Sequence, residues 1–511
     1  YTIEFISDGI TKTVSNVMIG ELWALDGQSN MAQRISNTDW WYDSDNKCAP
    51  KERKENVRFF ILDKSEDDVY RKHIKTAADS SLTYENVKGK WISIDPNDAE
   101  SLKVSSVGAV ALLKMYDELG VACGGIDISC GGTQISDFYA DTGCVFRASH
   151  MDAIKQSMRG VLWYQGEHNY KSEYNEYKDN MLKLVDGFRG EKAWNDSELY
   201  FIYVQLPAYT MDTESENGEK YTDDELLKKI RNWSMVRTSQ LNALYELENA
   251  GMITTTDILP LTEYNTIHRT NKKTIGERLG NEALRVAYKK NNIFAAPMFG
   301  SVEFSGNKAT VTFTNVAGGL KTTDGNAPRE FEIAGEDGVW YAADAEIVGM
   351  NKVVLTNSNV TAPKKVRYLD ICDRAADDEN VLKELIAKGK PSVNLVNSEG
   401  LPAASFSEKE NAYIRADLAT QTTIFYNVND LSDISGDVKI TINNIDGADS
   451  IYLALYNGSR LVDVKKAAVA NGSAEASISA ELFDDTQANY SVRAFVWNAM
   501  LPIITINNIT R

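Results

Sequence analysis

The sequence predicts an α/β domain, a parallel sheet with helices on both faces, followed by β-sandwich domains. Two observations carry this expectation. From about residue 17 to about 292, short apolar runs alternate with segments of helical period, the pattern of β and α elements wound into one parallel sheet. After residue 293 the period changes to two, and turn dipeptides such as Asp324-Gly325 and Asp337-Gly338 punctuate the chain, as in an all-β module.

Residues 1–16 read as one or two strands with Asp8-Gly9 as a hairpin turn. They are expected to be left from, or to join, a β domain. Residues 17–292 hold strands near Gly120–Ser129, Val161–Gln165 and Leu199–Gln205. Helical periodicity covers Tyr174–Val185, Glu225–Glu246 and Thr274–Lys289. Thr38–Lys103 reads as a long, polar, charge-rich insertion, either framing a cleft or a solvated loop. Residues 293–410 read as an accessory β-sandwich, with an acidic surface excursion at Asp377-Asp378-Glu379. Residues 411–511 read as an immunoglobulin-like β-sandwich, with strands such as Thr423–Val428 and Ser491–Trp497.

Chemistry concentrates in three segments. In Glu21-Leu22-Trp23-Ala24-Leu25-Asp26-Gly27-Gln28-Ser29-Asn30-Met31 an apolar strand runs into a turn that presents Ser29. A serine on a tight turn after a strand holds its hydroxyl clear of the sheet, with backbone N–H groups beside it. Gly160-Val161-Leu162-Trp163-Tyr164-Gln165-Gly166-Glu167-His168-Asn169 is a second strand running into a polar turn. The third is Ile267-His268-Arg269 with Asn271-Lys272-Lys273, just before an amphipathic helix. Only four histidines are present, His73, His150, His168 and His268, so candidates for a general base are few. A turn of this composition with no catalytic role is the alternative.

Gly-Gln-Ser-Asn-Met, Trp-Tyr-Gln-Gly-Glu and Ile-His-x-x-Asn-Lys, in that order, resemble the sialate O-acetylesterase group of the SGNH hydrolase superfamily, in the neighbourhood of carbohydrate esterase family six. Ile128-Ser129-Cys130-Gly131-Gly132-Thr133 and Val204-Gln205-Leu206-Pro207 agree. The resemblance covers roughly the first four-fifths of the chain, and its motifs are specific as a set. It implies an SGNH-type (flavodoxin-like) sheet and a serine esterase acting on O-acetylated sugars, sialic acid first. Ser29 matches the nucleophile and His268 the base. The oxyanion donors would be the Ser29 N–H, one of Gly131 and Gly132, and the Gln165 side chain, with Asn169 a weaker candidate. No metal and no organic cofactor is implied. Many SGNH enzymes carry an aspartate three residues before the histidine; here Asn265 stands there. Asn265, Glu263, Asp257 or a backbone carbonyl could orient the ring. Arg269 stands where the family usually has proline. Trp40, Trp41, Tyr139, His168, Asn169 and Arg269 are candidate substrate contacts. Relatives acting on acetylxylan and other plant polysaccharides share the motifs, and a non-catalytic glycan-binding protein on the same scaffold is the reading from a different class.

Composition bounds the partners. At 511 residues the chain should form about three domains. The net charge of −19 argues against nucleic acid and anionic membrane surfaces, and it is awkward for an acidic sugar. The apolar runs are too short to span a bilayer. The five cysteines, Cys48, Cys123, Cys130, Cys144 and Cys372, fit no zinc spacing; Cys123 and Cys130 read as buried, and Cys48 with Cys144 could pair. The C-terminal strands resemble modules of secreted bacterial proteins, so a secreted or cell-surface enzyme is expected. No signal peptide is read at the start, which lies inside a strand-like stretch; in the family resembled, this region follows an N-terminal β domain, so a fragment or processed form lacking upstream sequence is expected.

Overall fold

A computed structural model describes residues 1–38, 54–62, 89–95, 98, 100–138, 157–190, 196–207, 209, 219–258, 267–290, 292–369, 393–409, 423–426, 437–443, 450–457, 460–470, 473–483, 490–498 and 501–510. The chain divides into two compact units, Tyr1–Tyr288 and Lys289–Arg511.

The first unit opens with a hairpin, β1 (Ile3–Ser7) and β2 (Ile10–Val14). Asp8 (φ 50°) and Gly9 (φ 77°) both take positive φ, which a two-residue turn matched to strand twist requires. The hairpin pairs only with itself among the described residues. Strand β3 (Gly20–Gly27) follows, then a single turn of helix that begins at Ser29, α1 (Ser29–Ala32).

The remaining elements are β4 (Lys54–Leu62), β5 (Gly89–Ile94), α2 (Ser106–Leu119), β6 (Ala122–Asp127), β7 (Gly160–Tyr164), α3 (Tyr177–Arg189), β8 (Tyr200–Val204), α4 (Asp223–Leu244), β9 (Ala250–Ile253) and α5 (Lys273–Ala287). Seven strands form one sheet in the order β5-β4-β6-β3-β7-β8-β9. All neighbours are parallel except β5, which runs antiparallel to β4 at the edge. The region read as an insertion therefore supplies two strands of the sheet. Its apolar run Val57–Leu62 is short and flanked by charge, which hid it.

The central strands β3 and β7 are buried on both faces toward their carboxyl ends, as in parallel sheets, whereas the edge strand β5 is largely exposed. Trp23, Ala24, Leu25, Val161, Leu162 and Trp163 have no exposed surface, and each large side chain so buried contributes roughly 1.5–3 kcal/mol. Because β3 lies between β6 and β7, the carboxyl ends of three strands converge at the place where the strand order reverses. Open α/β sheets bind ligands there.

Two helices brace that end. At the start of α2, Ser105 Oγ accepts the Gly108 N–H at 3.0 Å and donates to the Met31 carbonyl at 2.7 Å. One hydroxyl thus caps α2 and ties down α1. On α5, a Cβ at Gly276 would lie 2.5 Å from Val110 Cβ, and one at Gly280 would lie 2.8 Å from the Ala111 carbonyl oxygen. This spacing of four residues leaves a flat stripe on α5 that lets it lie close against α2.

In the second unit, two four-stranded antiparallel sheets are followed by a three-stranded and a further four-stranded one. Phe299, Phe313, Phe331, Tyr368 and Phe406 form a contiguous aromatic core between Met298 and Lys409. The acidic excursion, Cys48, Cys144 and Cys372 lie outside the described residues. Cys123 is buried in β6, whereas Cys130, read as buried, is half-buried beyond it. No described helix is long and apolar enough to cross a membrane.

Candidate active site

The turn that presents Ser29 is made by close backbone approach. Gly27 is still strand, with φ 130°. A Cβ there would sit 2.1 Å from the Tyr164 carbonyl oxygen, so only glycine fits. The same carbonyl accepts the Gln28 N–H at 3.0 Å, and the Gly27 carbonyl accepts the Cys130 N–H at 2.8 Å. The ends of β6 and β7 are thereby stitched to β3 one residue before the serine. Gln28 Oε1 accepts the N–H groups of Gly166 and His168 at 3.4 and 3.2 Å, which ties the turn after β7 to the same point.

His268 reaches this turn from the loop before α5. Its Nε2 lies 2.7 Å from Ser29 Oγ, a hydrogen bond across 239 residues of sequence. Desolvation of the ring and the positive charge of Lys272 hold its pKa below the ordinary histidine value. A neutral imidazole on the serine hydroxyl is the arrangement that general-base activation requires.

Gly131 lies against the serine: a Cβ built on it would be 3.6 Å from Ser29 Cβ. Gly132, at φ 72°, has nothing within 4 Å of that position. Of the two glycines, Gly131 is the one beside Ser29.

Several expected residues do other work. Gln165 spends both amide hydrogens inside the protein, on the Thr133 carbonyl at 3.0 Å and Asn169 Oδ1 at 2.6 Å, while its Oε1 accepts the Tyr177 hydroxyl at 2.9 Å. No hydrogen is left for an oxyanion, so the expected donor role does not fit this geometry. Asn169 is fully buried; its Oδ1 accepts the Ile135 N–H at 3.1 Å and its Nδ2 donates to Glu173 at 3.1 Å. Together the two amides hold the loop that carries Gly131. Asp257 forms a bidentate pair with Arg278, at 2.7 and 2.6 Å, and makes no hydrogen bond to His268. Arg269 turns inward, buried, and donates to the Ile258 carbonyl. Replacing the expected proline, it ties the His268 loop to the segment after β9 rather than facing substrate. His168 is half-buried, its pKa lowered first by desolvation and then by Lys171. Trp40, Trp41, Tyr139, Glu263 and Asn265 lie outside the described residues. Among the described residues no cluster of three or more His, Cys, Asp or Glu is placed to hold a metal ion.

The model of one protein family, described as carbohydrate esterase, sialic acid-specific acetylesterase, matches residues 19–285, just over half of the chain. The chain belongs to this family. The carbohydrate esterase match spans β3 through most of α5 and so includes Ser29, Gly131 and His268. Two sialate O-acetylesterases are similar to it: the mouse protein, 21% identical over 366 residues, and the human protein, 22% identical over 347. These alignments cover 60% and 61% of this chain, and the chain spans 63% and 62% of those relatives' lengths. A solved carbohydrate acetylesterase from Xanthomonas citri shares the fold, with a TM-score of 0.61 over 80% of this chain and 84% of that one, at 24% identity.

Three residues of the site were quoted in the motifs without a role, namely Asn30, Glu167 and Lys272. All three are buried. No local signal marked the last two: Glu167 stands in a polar turn and Lys272 in a polar, basic stretch, where a charged side chain ordinarily faces solvent.

Proposed function

We propose that the chain is a serine carbohydrate O-acetylesterase that removes acetyl groups from O-acetylated sugars, sialic acid first, through an acetyl-Ser29 intermediate. The observation that carries this reading is the 2.7 Å contact between Ser29 Oγ and His268 Nε2 at the carboxyl ends of β3, β6 and β7. The sialic acid-specific acetylesterase family and its mammalian sialate O-acetylesterase relatives support the substrate class.

The mechanism follows from the residues. His268 Nε2 takes the Ser29 proton as Oγ attacks the acetyl carbonyl carbon. Negative charge collects on the carbonyl oxygen, where the N–H groups of Ser29 and Gly131 can meet it; losing one such donor costs about a hundredfold in rate. The tetrahedral intermediate collapses, the sugar oxygen leaves, and His268 returns the proton to it as a hydroxyl. Water then gives a proton to His268 as its oxygen attacks the acetyl-serine carbonyl; the second intermediate collapses, His268 returns that proton to Ser29 Oγ, and the acetic acid released ionises to acetate. With Gln165 committed to the loop beneath, the oxyanion donors in this reading are backbone groups.

The test is acetate release from O-acetylated sialic acid, acetylxylan and acetylmannan by the wild-type chain and by Ser29→Ala. The expected result is release, highest on the sialic acid ester, and its loss by at least about a thousandfold in the variant. Release that survives Ser29→Ala overturns the serine mechanism. Preference for acetylxylan overturns the substrate. No release from any ester favours a glycan-binding role.

A further inference from the structure

One residue from each of the three motifs remains without a task after the mechanism is assigned, and these three meet. Asn30 Nδ2 donates one hydrogen to Glu167 Oε1 and the other to the carbonyl of Ile267, at 3.0 Å. Its Oδ1 accepts from Lys272 Nζ at 2.5 Å. Every hydrogen of the amide is used, and its oxygen faces a cation while its nitrogen faces a carboxyl group.

This arrangement is costly where it stands. Asn30, Glu167 and Lys272 are 1%, 1% and 0% exposed. Lys272 precedes the first turn of α5, the end of a helix that repels cations; besides Asn30 it has the Tyr164 ring, with Nζ 5.5 Å from the centroid. Glu167 Oε2 is buried without a hydrogen-bond partner. Apolar side chains of the same volume would serve stability at least as well as such groups. A flip of the Asn30 amide would turn its NH₂ onto Lys272 and its oxygen onto both the Ile267 carbonyl and Glu167, so the two flanking groups permit one orientation only. That orientation bonds the residue after Ser29 to the residue before His268.

We propose that Glu167 and Lys272 are positioning residues: from opposite sides they fix the Asn30 amide, which fastens the His268 loop to the Ser29 turn and sets the separation of the two reacting side chains. The inference rests on reading Ser29 and His268 as nucleophile and base. Glu167 and Lys272 make no hydrogen bond to either of the two and hold them through Asn30; Lys272 bears on His268 besides only by its charge.

The experiment uses the full chain with Glu167→Gln, Lys272→Met, the double variant of these, Asn30→Asp and Ser29→Ala. kcat and KM are measured on p-nitrophenyl acetate, and kcat is divided by the number of serines titrated with a fluorophosphonate. Thermal unfolding is recorded alongside. Asn30→Asp keeps the shape and removes both donors; it should lower kcat per titrated site by about a hundredfold, the cost of a misplaced reacting pair, with KM changed less than about threefold. Glu167→Gln should lower it by about tenfold or more. The double variant should recover thermal stability relative to Lys272→Met, because no buried carboxylate is left uncompensated, yet keep the low kcat. A kcat within about threefold of wild type in Asn30→Asp and Glu167→Gln overturns the inference, as does a double variant in which kcat recovers together with stability. Should Lys272→Met fail to fold, Asn30→Asp and Glu167→Gln decide the matter. Ser29→Ala separates the levels. Undiminished turnover there removes the nucleophile reading and this inference with it, whereas its loss beside normal Asn30→Asp removes this inference alone.

Discussion

At the scale of single residues, the site works by spending hydrogen bonds where sequence cannot show them. His268 titrates below the ordinary histidine value because desolvation and Lys272 disfavour the imidazolium. The base is active when neutral, so activity should persist as pH falls past about 6.5, an unperturbed imidazole's midpoint, and be lost only below it. A pH profile of kcat/KM with an acid limb at or above that value would contradict the assignment. Gly27→Ala should be among the most damaging substitutions, since its Cβ would meet a backbone carbonyl at 2.1 Å with φ at 130°. A loss of about 3 kcal/mol or more is expected, read as a fall in unfolding temperature or as insoluble protein. Ser29 and His268 were legible in the sequence because the chain has only four histidines and because the serine stands in a distinctive strand-to-turn motif. Gln165, Asn169 and Arg269 were not, because whether an amide or guanidinium faces substrate or scaffold depends on partners far along the chain: Thr133 for Gln165 and Ile135 for Asn169.

At the scale of elements, α2 and α5 carry the geometry. Gly280→Ala should lift α5 from α2, because its Cβ would meet the Ala111 backbone at 2.8 Å. We expect a loss of about 1–3 kcal/mol together with a fall in kcat, since the His268 loop runs into that helix. Thr222 gives the contrast. It caps α4 through a capping box with Glu225, on the surface and outside the catalytic machinery. Thr222→Ala should cost about 1 kcal/mol in thermal unfolding with kcat unchanged. Equal effects of the two substitutions on kcat would mean that α5 has no special hold on the site. The helices and parallel strands were readable because their periods of 3.6 and their apolar runs are local properties. Strands β4 and β5 were missed because the long charged segments on either side of their apolar residues dominated the reading of the region, and the pairing of β4 with β6 and of β4 with β5 is a tertiary fact.

At the scale of the whole molecule, the charge of −19 sets a field that an anionic sugar must cross. Salt screens such repulsion over about 10 Å at 0.1 M. For an acetylated sialic acid, kcat/KM should therefore rise, by about two- to fivefold between 10 and 150 mM salt. Neutral acetylxylan should show no such dependence. A fall with salt on the acidic substrate would show that basic groups dominate the approach to Ser29.

The position of β3 at the centre of the sheet has a consequence for how the chain is made. Its neighbours are β6 and β7, on opposite sides. When Leu22-Trp23-Ala24-Leu25 leaves the ribosome, neither neighbour has been synthesised. The first arrives about a hundred residues later, a delay of roughly 5–20 s at ordinary rates of synthesis. Throughout that interval the most apolar segment of the site is an unpaired strand with two open edges, able to join another nascent chain. Ser29 thus follows a segment exposed to mispairing during synthesis, and slower translation between β3 and β6 should send more chains into aggregates before they can fold.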